Sequence, residues 1–505
     1  MKLIPFLALL VAPLFAQQQP PAAPQFTPRT VAPLGTPQPA PPKPATPAPA
    51  APRPAASRPA QAAPAAPDYK LNIPHEEYRL ANGLRVVFSR DNAVPVVALA
   101  VLYDGGTRAE DKAHFGYAHL LEHLMEEAPA NAAKGEITKF VQSNGGQING
   151  ATRPDYSLYT DLIPSHLLAP MLWMEAGRMQ NLAITPETLK ERQDGIREER
   201  AGTVTGYNQA ILEVWPALVF ANPQNSHSYI SGDNVATATA EEVTKFYRTW
   251  YAPNNAVLVL AGDFQTPDAK KLVDQYFGPI PSQPVPQKPD PAEQLRPGKG
   301  LVFQDGHIGV PAVVVGWQAP ERHSAAWYAM QLVDAVLTKG QTARIPANLV
   351  QGRQSILQFQ SGIGFPFEDA PGSSNPSEYG ILAYYRPGLR PELIVNEIQQ
   401  EIEDMAIRGV NDELPRIKAA LRVRRISQIQ NAVERATVLG EYELLDGRLG
   451  MIDEDFLGML AVGPAEVQQM ARRGLTAARR DVLLIAPAPR TAPRAEPKSD
   501  SKTGK

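Results

Sequence analysis

Two histidines and a glutamate stand at the spacing His119-Leu-Leu-Glu122-His123. On a helix, positions i and i+4 share a face, so both imidazoles can reach one ion. Glu122, at i+3 from His119, shares that face and can hold a water beside such an ion. The order is the inverse of the more familiar HExxH. At this composition about 0.01 chance occurrences are expected, so the match is specific. Two histidines need a third protein ligand to make a catalytic zinc site with one open position. The charged stretch 187–201, ETLKERQDGIREERA, offers Glu191, Glu198 and Glu199. Helix neighbours point about 100° apart, so only one of Glu198 and Glu199 can aim at the ion. The remaining histidines (His75, His114, His166, His227, His307, His323) are scattered and read as structural or exposed.

These residues need a scaffold, and the pattern around them supplies one. Tyr78 to Ser89 reads as two strands about an Asn82-Gly83 turn, Val94 to Tyr103 as a third strand, and Phe115 to Glu127 as a helix. Val94-Pro-Val-Val is echoed by Val310-Pro-Ala-Val 216 residues later, each followed by a polar turn and an amphipathic helical pattern. Ile184-Thr-Pro-Glu and Val410-Asn-Asp-Glu both read as capped helix starts. The expected fold is α+β: two homologous halves, each a mostly antiparallel sheet with helices packed on one face. The N-terminal half takes residues 68–280 and the C-terminal half 301–487, with the Pro-rich segment 281–300 joining them. At positions 335–339, which the same offset relates to 119–123, the sequence is Ala-Val-Leu-Thr-Lys, so only the first half carries ligands.

Composition narrows the setting. The chain has 505 residues, 51 prolines, no cysteine and a formal charge of −3. Without cysteine there is no disulfide framework, thiolate nucleophile, thiolate-bound zinc or lipoprotein anchor. Residues 1–16 carry Lys2, an apolar run and Ala16 before a polar stretch, the pattern of a secretory signal peptide, with an uncleaved anchor as the alternative. Residues 17–67 are Pro/Ala-rich with four basic groups and no acid, which suits an extended spacer or a docking segment. The tail, 488–505, is also basic, so the body between, 68–489, carries −11. That balance gives no reason to expect nucleic acid, and no segment of the mature chain suits a membrane span. An exported chain, periplasmic or secreted, is expected.

Gly105-Gly-Thr-Arg108, His119-Leu-Leu-Glu-His123, Gly145-Gly-Gln-Ile-Asn149-Gly-Ala-Thr152 and Asp194-Gly-Ile-Arg-Glu-Glu199 together resemble the pitrilysin/insulinase family of inverted-motif zinc peptidases. The resemblance spans about residues 75–487 and is strongest to the branch of the processing peptidases and their bacterial relatives. It implies one zinc ion held by His119, His123 and a downstream glutamate, with Glu122 as general base. Glu199, 76 positions after His123, fits that distance best, and Glu198 is the second choice. Asn149 would hold substrate backbone, although a turn or strand-end role suits it too. Tyr384-Tyr385-Arg386 is the one Tyr/Arg cluster in the second half that could hold a substrate carbonyl. Gly195 departs from the family's apolar residue there. The implied activity is an exported zinc endopeptidase acting on unfolded peptides or small proteins. It would work as a homodimer or as a heterodimer with a metal-free relative. The alternative is a binding or scaffold subunit without useful activity.

Overall fold

The computed structural model describes residues 70–127, 131–293, 298–367, 372–374 and 376–488. The expected signal peptide, the Pro/Ala-rich segment 17–67 and most of the tail lie outside the described residues.

Eleven strands are described: β1 (Glu76–Arg79), β2 (Arg85–Arg90), β3 (Val96–Tyr103), β4 (Gln147–Thr152), β5 (Ser157–Pro164), β6 (Ala256–Gly262), β7 (Gly300–Asp305), β8 (Ala312–Gln318), β9 (Ile356–Ile363), β10 (Glu378–Tyr385) and β11 (Asp481–Pro487). They form two sheets, in the orders β1-β2-β6-β3-β5-β4 and β7-β11-β8-β10-β9. Apart from β1 the orders are equivalent. In each sheet a single parallel pair, β2 with β6 and β7 with β11, joins an otherwise antiparallel run. The 216-residue offset places Val96, which opens β3, on Ala312, which opens β8. The fold is therefore α+β and two-halved, as the echo of sequence suggested.

Local sequence explains the elements that matter here. Gly83 takes φ +91° in the turn between β1 and β2, a conformation that costs glycine little. β3 and β6 are buried on both faces and are accordingly apolar at nearly every position. Helix Pro186–Thr203 starts with a capping box in which Thr185 and Thr188 bond each other's backbone N–H, with Pro186 at the first turn. The expected cap at Val410–Glu413 takes a different form. That helix runs Leu414–Gln430, and no side chain caps it. Helix Ala325–Thr338, expected to be amphipathic, is buried almost all round because it lies between its sheet and other helices.

One face of each sheet packs on helices of its own half. The opposite face is covered by a segment of the other half. On the first sheet, Ala98, Ala100, Leu102, Val257 and Val259 meet Ala436, Leu439 and Tyr442 of helix Ala432–Asp446. On the second, Ala312, Val314, Leu382 and Ile485 meet Ala210 and Trp215 from the short helical run 206–219. Glycines permit both close approaches. A Cβ on Gly440 would meet Leu102 Cδ1 at 2.2 Å, and one on Gly316 would meet Trp215 Cζ2 at 2.5 Å. Each half thus completes the core of the other.

Candidate metal centre

Helix Tyr117–Glu127 carries the HxxEH residues. Its inward positions Leu120, Leu121, Leu124 and Met125 are buried in the first-half core, which fixes the rotation of the helix. Its N-terminus is held by the buried Glu110, whose carboxylate accepts from the N–H groups of Gly116 (2.9 Å) and Ala118 (2.7 Å). His227 bonds the same carboxylate at 2.9 Å and stacks on Phe115 at 3.8 Å, which makes it a structural histidine.

The structure brings His119, His123 and Glu199 together. The two Nε2 atoms lie 3.2 Å apart, and Glu199 Oε2 is 3.1 Å from His123 Nε2 and 3.7 Å from His119 Nε2. Three donors about 2.0–2.1 Å from a tetrahedral ion sit about 3.3 Å from one another, so this triangle has the size of a zinc site. Two imidazole nitrogens facing each other and one carboxylate oxygen is an arrangement that a cation resolves. Among the described residues these three are the one group of histidine and carboxylate ligands so placed. Glu198 is exposed and turned away, one residue further round the helix, while Glu191 pairs with Lys134 at the surface. Gly195 is exposed, and nothing lies within 4 Å of an added Cβ.

The electrostatics suit a metal. Burial and the neighbouring His123 push His119 down to about 3, so its ring is neutral and free to ligate. Burial pulls His123 down as well, but the bond to Glu199 and the surrounding carboxylates outweigh it and raise the ring above its ordinary value. Burial would raise Glu199, yet the two imidazoles hold it below the usual carboxylate range. Glu122 is not a member of the triangle. Burial pushes its carboxyl up to about 7, against the opposing hydrogen bond from Thr152.

Thr152 and Gly150 are site residues that the sequence reading did not single out. Thr152 ends β4 and donates its hydroxyl hydrogen to Glu122 Oε2 at 2.6 Å. Gly150 lets β4 lie against the helix, since a Cβ there would meet Glu122 Cγ and Glu126 Oε1 at 3.0 Å. Both stand in the Gly145–Thr152 stretch, whose small residues were the available signal. Tyr229 packs its ring edge-on against His119, with centroids 5.2 Å apart. Asn149 is exposed on β4, which is the edge strand of its sheet. Tyr384, Tyr385 and Arg386 are not brought to this centre. Tyr384 packs on Tyr207, Tyr385 is buried in the second-half core, and Arg386 bonds Gln354 at 3.2 Å.

A helix-borne pair of histidines and a carboxylate from a second helix form a group that could hold a metal ion, with a fourth residue, Glu122, beside it, on a two-sheet α+β frame. Comparison with known proteins gives the family. The family model described as insulinase (peptidase family M16) matches residues 85–231, and that described as the peptidase M16 inactive domain matches 237–421. The chain belongs to the insulinase family of peptidases. A zinc protease, PqqE, of Helicobacter pylori is 24% identical over 388 residues, covering 75% of this chain and 85% of that protein. The mitochondrial-processing peptidase subunit beta of Blastocladiella emersonii is 26% identical over 219 residues, 43% of this chain and 47% of its own length. A solved protease from Helicobacter pylori superposes with a TM-score of 0.76 at 21% identity, covering 82% of this chain and 99% of that one. A peptidase M16 inactive domain from Pseudomonas fluorescens gives 0.69 at 16% identity, covering 83% and 99%. These structural likenesses concern the fold.

Proposed function

We propose that this chain is an exported, zinc-dependent endopeptidase that hydrolyses unfolded peptides or small proteins. The observation that carries the reading is the His119–His123–Glu199 triangle with Glu122 beside it and held by Thr152. His119, His123 and Glu199 would hold a zinc ion, which when bound would supply acidification of a water toward a pKa of about 7 and polarisation of a carbonyl. Glu122 takes the proton from the attacking water and later delivers it to the leaving amine. Thr152 fixes one oxygen of that carboxylate, so the other is free for the proton. The open edge of β4 offers backbone groups to an extended peptide, and the exposed Asn149 stands there to bond its main chain.

Export rests on the pattern of residues 1–16, with the basic spacer behind it. No helix among the described residues is long and apolar enough to cross a membrane. The named relatives include a beta subunit of a processing peptidase, which favours work in pairs, either with a second copy or with a metal-free relative. The second reading, a binding or scaffold subunit, draws on the match of residues 237–421 to an inactive domain. The complete ligand set in the first half favours the enzyme.

The test is zinc stoichiometry of the purified chain together with cleavage of an unstructured, internally quenched peptide, with and without a chelator. One zinc per chain and chelator-sensitive cleavage are expected. Glu122→Gln should keep the metal and lose about 10²–10⁴-fold in turnover. Absence of zinc, or undiminished turnover in Glu122→Gln, would overturn the proposal. Zinc without cleavage, restored by a metal-free relative, would place the activity in a heterodimer.

A further inference from the structure

Between the loop that follows β4 and the helices of the second half lies a cavity of about 390 Å³. Its lining holds four acids (Asp334, Glu434, Glu441, Asp455) and four bases (Arg153, Lys339, Arg424, Arg425), which differ in how they are partnered. Of the acids, Asp334 pairs with Lys339 at 3.1 Å, and Asp455 accepts from Tyr328 and Tyr442 and bonds His323 at 2.7 Å. Glu441 accepts from Tyr156 at 2.6 Å, and Glu434 accepts from Gln428 at 3.2 Å. Arg425 is bonded to Gln428 at 2.8 Å. Arg153, from the loop after β4, and Arg424, from helix Leu414–Gln430, both line the cavity, and their guanidinium groups have no hydrogen bond or ion pair among the described residues. Arg153 rests its guanidinium over the Phe367 ring at 5.1 Å instead.

The position of Arg153 ties this cavity to the metal centre. It directly follows Thr152, whose hydroxyl holds Glu122. Phe367, which carries the guanidinium, packs on Tyr229 with centroids 6.3 Å apart, and Tyr229 abuts His119. Two rings therefore separate the free guanidinium from a metal ligand. A planar guanidinium that is half-buried, stacked and, among the described residues, without an anion is prepared to receive a carboxylate in a bidentate, charge-assisted pair.

We infer that Arg153, with Arg424 of the same cavity, is a specificity-determining residue that selects peptides bearing a carboxylate a few residues from the bond to be cut. The inference rests on the peptidase reading above. An Asp or Glu side chain and the C-terminus of the peptide both supply such a carboxylate, and the same pairing serves either.

The test uses the full zinc-loaded chain and a set of quenched peptides that differ at single positions as Glu, Gln or Lys, each with a free or amidated C-terminus. The wild type should favour Glu over Gln by about tenfold in kcat/KM at some position, or the free over the amidated terminus if that is the source. The preference should shrink as salt rises. In Arg153→Gln the Glu/Gln ratio should fall toward one, Arg153→Lys should restore part of it, and Arg424→Gln should lower it in a chain with Arg153 intact. If the wild type is indifferent to charge, or Arg153→Gln and Arg424→Gln both keep the full preference, the inference is wrong. Chelator-sensitive cleavage of the neutral peptide by the wild type reports on the peptidase reading separately. Anisotropy of labelled Glu and Gln peptides on zinc-loaded Glu122→Gln gives the same comparison as binding.

Discussion

Thr152→Val isolates the contact that orients the proposed general base. The substitution keeps the volume and the β-branched shape while removing the 2.6 Å hydrogen bond to Glu122 Oε2. A hydrogen bond to a charged group contributes about 1.5–3 kcal/mol, and one pKa unit corresponds to about 1.4 kcal/mol. The bond favours the ionised carboxylate, so its loss should raise the Glu122 pKa by about 1–2 units from a value that burial has already pushed to about 7. A bound cation lowers both values together, so the displacement is the quantity to read. The base works only when ionised. Activity should therefore fall by about tenfold or more on the acid side of the kcat/KM–pH profile. It should recover toward the wild-type plateau well above the displaced pKa. The assay is that profile on one quenched peptide, with zinc content measured in parallel and expected to stay at one per chain. A profile that superimposes on the wild type, or a loss equal at every pH, would refute the reasoning.

Glu199→Gln should weaken zinc binding by more than about 100-fold while Glu198→Gln leaves it near wild type, as competition with a chelator would show. Asp155 is buried and accepts from Arg108 at 2.9 Å and from the Ser374 N–H at 2.9 Å, joining the two halves. Breaking such a buried pair by Asp155→Asn should destabilise the chain by about 3–5 kcal/mol at neutral pH, seen as a lowered Tm. Burial would raise the Asp155 carboxyl, but Arg108 and Ser374 outweigh it and hold it below the ordinary range. Its stabilisation is therefore complete above the unfolded pKa of about 3.9 and is lost as pH falls through the lower folded value, so the Tm gap between the two proteins should close in acid. Gly440→Val should clash with Leu102 and cost about 1–3 kcal/mol; an unchanged Tm would mean that helix Ala432–Asp446 is not seated on the first sheet.

The metal triangle was half legible in the chain. His119, Glu122 and His123 belong to one helix, so their spacing alone puts them on a shared face. Glu199 lies 76 positions beyond His123 on a helix of its own, and no local rule joins the two. Only the resemblance to the family, through its spacing and the Asp194-Gly-Ile-Arg run, preferred it to Glu198, and the rotation of helix Pro186–Thr203 is set by Leu189 and Ile196 in the core. Thr152 and Gly150 reach Glu122 because β4 is laid across the helix, which is a tertiary event with no period in the sequence. Tyr384-Tyr385-Arg386 shows the opposite case, a suggestive cluster whose two rings are spent on packing. The two-halved plan with mostly antiparallel sheets could be anticipated from the sequence echoes, but not the strand order or the parallel pairs β2–β6 and β7–β11. The exchange of segments between halves could not, because the apolar face of Ala432–Asp446 says that the helix is buried and not against which sheet.

That exchange bears on how the molecule can move and how it can be divided. If residues 281–293 were nicked, the two pieces would still be clasped, since each holds a part of the other's interior. Made separately, each would present one bare sheet face to water and keep only the core on its other face. The same clasp forbids the halves from swinging apart like jaws, because any wide opening would strip Trp215 from one sheet and Leu439 from the other.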